Sequence, residues 1–164
     1  TSSSSSSSSV GGVVESVNTI VTPNSIQRGT IVLYDRFLDV YRKIDYGEDL
    51  YEQLILAYGP HTPHRRKVIR FFGNESFSDT LRMFSQCSLL IGAHGAGMTN
   101  MMFMHENTTV VELRSPQYPV YLLREFAQRF HLRHYEYLTG KGGYAAPTRI
   151  DVWQFLAWLK TTII

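Results

Sequence analysis

From Thr30 onward, short β-branched or apolar runs alternate with stretches of helical periodicity, and this alternation limits the fold more than any other feature of the chain. TIVLY from Thr30, KVIRFF from Lys67, LLIG at 89–92, TTVVEL from Thr108 and RHYEYL from Arg133 read as strands. Between them, EDLYEQLILAYG puts Leu50, Leu54 and Ala57 on one helical face and stops at Gly59-Pro60. Ser76-Phe77-Ser78-Asp79 resembles a capping box opening a helix with the stripe Phe77, Leu81 and Phe84. MTNMMFM predicts a short helix whose methionines pack into the core, and PVYLLREFAQRF one with Leu123, Ala127 and Phe130 on one side. DVWQFLAWL closes the chain as a helix with Asp151 near its start, where a negative charge suits the dipole. Strands that alternate with helices make an α/β fold, here a Rossmann-like parallel sheet with helices on both faces. The segment DRFLDVYRKIDYG, between the first strand and first helix, reads as a loop.

The 164 residues, 43% of them hydrophobic, suffice for one proper core, so residues 30–164 are expected to form a single domain. The opening TSSSSSSSSVGG has too little apolar surface to order itself, and residues 1–29 read as a low-complexity tail or linker. A net charge of +2 gives no ground for a nucleic-acid partner. The basic run His64-Arg65-Arg66-Lys67 lacks interleaved aromatic platforms and reads as a solvated strand entrance. One cysteine, Cys87, excludes an intramolecular disulfide and reads as a small buried apolar residue at a helix end. No run approaches the roughly 20 apolar residues of a membrane span, and the amino terminus shows no signal-peptide pattern.

At the carboxyl end of the third strand stands IGAHGAGMTN, with Gly92, Gly95 and Gly97 around His94. Clustered glycines mark positive φ or the close approach of another group. Ligands of such sheets collect at the carboxyl ends of strands, and a turn entering a helix presents backbone N–H groups suited to phosphate. The spacing G-x-x-G-x-G is neither the dinucleotide fingerprint nor the phosphate loop, so the residues alone predict an anion-binding turn of unassigned type. Taken singly, His94 reads as a histidine bonded into a turn, Glu112 as an exposed strand end, and Arg36, Arg42 and Lys43 as solvated loop charges. Tyr118, between Pro116 and Pro119, reads as part of a rigid turn.

The string LLIGAHGAGMTNMMFM followed by TTVVEL resembles the signature of family-61 glycosyltransferases, and the likeness extends in order from about Thr30 to about Leu159. The resemblance implies one lobe of a GT-B fold, the carboxyl-terminal donor-binding lobe, with the amino-terminal, acceptor-gripping lobe outside this chain. It implies inverting transfer from a nucleotide-sugar donor to a hydroxyl of a glycan or glycoprotein, without a metal or other cofactor. No Asp-x-Asp is present to hold a divalent ion. Carried over by position, the amides of Gly95, Ala96, Gly97, Met98 and Thr99 would hold the diphosphate, with the Thr99 hydroxyl adding a bond. His94 would lie near the leaving group as the catalytic residue, Arg36 would pair with phosphate, and Glu112 would accept from ribose hydroxyls. The general base is expected outside the chain. Family members work in the lumen of the Golgi or endoplasmic reticulum, and an anchor would have to precede residue 1. The chain departs from the family at His105-Glu106-Asn107, where Asn107 stands in for a turn glycine, and in lacking paired arginines in the basic loop. The alternative is a nucleotide-binding module without catalysis.

Overall fold

The computed structural model describes residues 29–36, 43–117, 120–140 and 146–164. Its strands are β1 (Thr30–Tyr34), β2 (Ile44–Asp45), β3 (Val68–Phe71), β4 (Cys87–Ala93), β5 (Thr109–Arg114), β6 (Arg133–Leu138) and β7 (Thr148–Arg149). The α-helices are α1 (Gly47–Tyr58), α2 (Phe77–Ser85), α3 (Leu122–Arg129) and α4 (Val152–Thr162), and a 3₁₀ helix spans Ala96–Phe103. Five strands form one parallel sheet in the order β3-β1-β4-β5-β6. β1, β4 and β5 occupy its centre and are buried along their whole length. This is the α/β, Rossmann-like arrangement expected.

Strand alternation sends successive side chains to opposite faces. Ile31, Leu33, Leu89, Ile91, Ala93, Val111 and Leu113 pack with Leu50 and Leu54 of α1 and Phe155 and Leu159 of α4. Val32, Tyr34, Leu90 and Val110 pack with Phe84 of α2, Met98 and Met101 of the 3₁₀ helix, and Leu123 and Ala127 of α3. The helices follow local signals. Ser76 Oγ accepts from Asp79 N at 3.2 Å to cap α2, and Asp151 Oδ1 accepts from Gln154 N at 3.0 Å to cap α4.

Several elements depart from expectation. The methionine segment winds as a 3₁₀ helix, in which every third residue eclipses. Met98, Met101 and Met104 stand three apart and are buried, whereas Met102 is 41% exposed. On α2 the buried pair is Thr80 and Phe84, not the whole stripe Phe77, Leu81, Phe84. Phe77 nearly shares the azimuth of Phe84 but lies two turns away, 70% exposed, with its ring edge-on to Phe103. The expected loop before α1 contains β2, paired in parallel with β7. Cys87 opens β4 rather than closing α2; it is buried, and burial pushes its thiol up to about 12.

The basic run before β3 is only partly solvated. Arg66 is buried, donating from Nη2 to Ser88 Oγ at 2.6 Å and from Nε to Gly29 O at 3.2 Å, so it ties the amino ends of β1 and β4 together. At the other end of these strands Asp35, just past β1, takes Arg70 Nη2 at 2.6 Å and Nε at 3.0 Å on Oδ2. Its Oδ1 is buried without a hydrogen-bond partner among the described residues, and the carboxylate, Oδ2 nearest, lies beside Gly47 at the start of α1, where the helix dipole favours it. A Cβ on Gly47 would run into that carboxylate.

Candidate functional site

The chain order reverses between β1 and β4: β3 continues from β1 on one side, and β5 and β6 from β4 on the other. Loops leaving β1 and β4 must therefore diverge, which opens a crevice at their carboxyl ends. Arg36 leaves β1 at this point and the glycine turn leaves β4. The two meet: a Cβ placed on Gly95 would lie 3.1 Å from Arg36 Nη1.

The three glycines serve close approach rather than unusual dihedrals. Among the described residues the only glycine in the left-handed region is Gly73, at φ 87°, and Gly95 is extended. A side chain on Gly97 would enter the Tyr34 ring, and one on Gly92 would meet Met98 Sδ and Tyr34 Cβ. Tyr34, unnoticed in the sequence, is thus the wedge around which the turn is wrapped. Asn107 does take the left-handed dihedrals expected of it: its φ is 63°, and its N–H donates to His131 O at 2.9 Å.

Not every expected phosphate donor is available. Met98 N donates to Gly95 O at 3.0 Å and Met98 is buried. Thr99 Oγ1 donates to Ala96 O at 2.6 Å, and Asn100 Nδ2 donates to Gly97 O at 3.0 Å, so these side chains reinforce the first turn. The amides at the helix start that precede its first intrahelical bond are those of Ala96, an exposed residue, and Gly97, a half-buried one. Arg42 and Tyr118 lie outside the described residues. Lys43 instead leads into β2, its carbonyl accepting from Thr148 N at 2.8 Å.

Beyond the turn, the face carrying the 3₁₀ helix changes character along the strands. β5 presents Val110, then Glu112 and Arg114; β6 presents His134 and then Glu136. Glu112 is fully buried. Its Oε1 meets His94 Nδ1 at 2.5 Å and its Oε2 meets His134 Nε2 at 3.0 Å. The expectation for Glu112 was a carboxylate offered to ribose; both its oxygens are instead taken by imidazoles, with the side chain 1% exposed. Burial alone pushes its carboxyl up, but the bonds from His134 and His94 outweigh that and hold it below the usual carboxylate range. Glu136, its register neighbour on β6, is matched by arginines: Arg114 at 3.0 and 2.7 Å, and Arg124 at 2.7 Å. Glu112, His134 and Glu136 bring ligand atoms within 4.8 Å of one another, a spacing compatible with a cation, but both carboxylates already face imidazole or guanidinium donors.

His134 and Glu136 were missed as site residues. The alternation in RHYEYL puts them on one face of a strand, a legible signal, but nothing local says that Glu112 lies opposite.

The sequence profile described as Glycosyltransferase 61 matches residues 4–111, well over half of the chain. The chain belongs to glycosyltransferase family 61. Its match spans the glycine turn and the first three residues of β5, and ends one residue before Glu112. Comparison with curated individual proteins returns no match. A domain of this family acts on a sugar donor and an acceptor. Among the described residues no helix is long and apolar enough to cross a membrane.

Proposed function

We propose that the crevice at the carboxyl ends of β1 and β4 binds the diphosphate of a nucleotide-sugar, UDP-linked, whose sugar passes with inversion to a hydroxyl of a glycan or glycoprotein. The observation that carries this reading is the convergence of Arg36 Nη1 on the Gly95 turn, beside the first amides of the 3₁₀ helix, which have no intrahelical partner. A guanidinium and oriented N–H groups are the donors a diphosphate requires, and they meet its charge without a metal ion. In this scheme Gly95, Ala96 and Gly97 supply main-chain contacts. Their effect grows as the leaving diphosphate gains charge in the transition state.

His94 is the catalytic candidate. Glu112 can only accept when ionised, so His94 Nδ1 carries the hydrogen between them, which turns Nε2 away from the carboxylate. An imidazole so held donates from Nε2 to the departing phosphate only as the imidazolium, with a hydrogen on both nitrogens. Glu112 is better suited to fixing that ring than to contacting ribose. The acceptor and its general base belong to an amino-terminal lobe of a GT-B enzyme, outside these residues. A lumenal setting in the Golgi or endoplasmic reticulum accompanies that scheme.

Calorimetric titration of the full chain with UDP, in chelator and again with added manganese, tests the reading. The expected result is metal-independent binding that weakens about tenfold in Arg36→Ala, a change of about 1.4 kcal/mol. Binding that needs manganese, or equal affinity in Arg36→Ala, overturns it.

A further inference from the structure

We infer that His134 is a positioning residue for His94, acting through Glu112; the inference rests on the reading that gives His94 its place beside the diphosphate. The three groups form a line from the crevice inward. The His94 side chain is 16% exposed, Glu112 1% and His134 4%. Glu112 Oε1 faces His94 Nδ1 at 2.5 Å, and Oε2 faces His134 Nε2 at 3.0 Å.

An ionised carboxylate has no hydrogen to give, so both facing ring nitrogens must donate. His94 is therefore held with its hydrogen on Nδ1, and His134 with its hydrogen on Nε2. A carboxylate gripped at one oxygen still rotates about its terminal torsion, which is broad for glutamate. Gripped at both, its plane is fixed, and the plane of the His94 ring with it. His134 supplies the second grip.

The surrounding charges favour this division of roles. Glu136 neighbours Glu112 on the adjacent strand, but Arg114 and Arg124 engage it, leaving Glu112 to the two histidines. Arg36 stands on the crevice side of His94, at Gly95. Without His134, Glu112 Oε2 would be a buried acceptor with one partner fewer, and the carboxylate would gain a second orientation.

The test is imidazole ¹⁵N NMR of the full chain without nucleotide, comparing wild type, His134→Gln and His134→Leu, with a thermal melt of each. The glutamine amide places a donor where Nε2 of the ring stood. We expect neutral His94 to carry its hydrogen on Nδ1 in wild type and in His134→Gln, and to become a mixture with the Nε2–H form in His134→Leu. A wild-type His94 with its hydrogen on Nε2 overturns the proposal, as does an altered tautomer in a folded His134→Gln. An unchanged tautomer in a folded His134→Leu also overturns it, leaving His134 a purely structural residue. If His134→Leu does not fold, the wild-type and glutamine spectra still decide. Because no nucleotide is present, failure to bind UDP would count against the proposed function and leave this result standing.

Discussion

The two faces of the central sheet differ in how far their apolar character runs. On the side of α1 and α4 it continues to the ends of β4 and β5, with Ala93 and Leu113 as buried as Ile31 and Leu89. On the side of the 3₁₀ helix it stops midway: Val110 gives way to Glu112 and Arg114, and Leu90 to Gly92 and His94. Along β4 and β5 the first face gives every position to hydrophobic burial, while at β1 and β3 it also holds the Arg70–Asp35 ion pair. The second gives up that burial at one end and must satisfy each polar group it admits, which it does with paired imidazoles and guanidiniums. Stability and ligand chemistry are thus segregated by face, and the contrast is open to experiment.

The largest stability effect should come from the apolar face. Leu113→Ala removes a side chain that is 1% exposed and should cost about 2–5 kcal/mol in chemical denaturation. Its UDP affinity, measured well below the melting temperature, should stay within a factor of two of wild type.

On the polar face, Glu112→Gln should cost less, about 1–3 kcal/mol, since an amide nitrogen would oppose one imidazole donor. The pH dependence has a definite sign. The folded carboxyl lies below its ordinary value of about 4.3, so its stabilisation is complete above that value and is lost as pH falls through the lower folded one. The stability gap between wild type and Glu112→Gln should close as pH falls through and below the ordinary carboxylate range. A gap that persists undiminished below that range would contradict the pairing.

The turn joins the two regimes. Gly97→Ala should destabilise by about 1–3 kcal/mol through the Tyr34 ring, with partial recovery in Gly97→Ala/Tyr34→Leu. If the single variant melts like wild type yet fails to bind UDP, the glycine serves the ligand and not the packing. The smallest effect belongs outside both faces. Phe77→Ser, at a site 70% exposed, should change stability by less than about 0.5 kcal/mol and leave UDP binding unaltered.

Much of the fold was legible because its signals are local. TIVLY, TTVVEL and RHYEYL announce strands by composition, and Ser76 and Asp151 announce helix starts by their capping chemistry. The 3₁₀ helix was legible only in part: the three-residue spacing of Met98, Met101 and Met104 carries it, but reads as general core packing without knowledge of the winding. The strand pair β2 and β7 was hidden, because two residues carry no periodicity and the partners lie far apart in sequence. The site divides the same way. His94 and the glycine turn stand in one motif, and Arg36 was expected beside them from the family resemblance. The company kept by Glu112 was not legible, because His134 reaches it only through the register of β5 on β6. Arg66 was misplaced for a related reason: its partners are Gly29, just before β1, and Ser88 of β4, both distant in sequence.

The most direct test of this division is amide hydrogen exchange of the full chain with and without saturating UDP, resolved to single residues. Added protection should be greatest at Gly95, Ala96 and Gly97, while the start of α1 at Gly47 and Glu48, on the opposite face, should exchange as before. Protection centred on Gly47 and Glu48, with the glycine turn unchanged, would contradict the account.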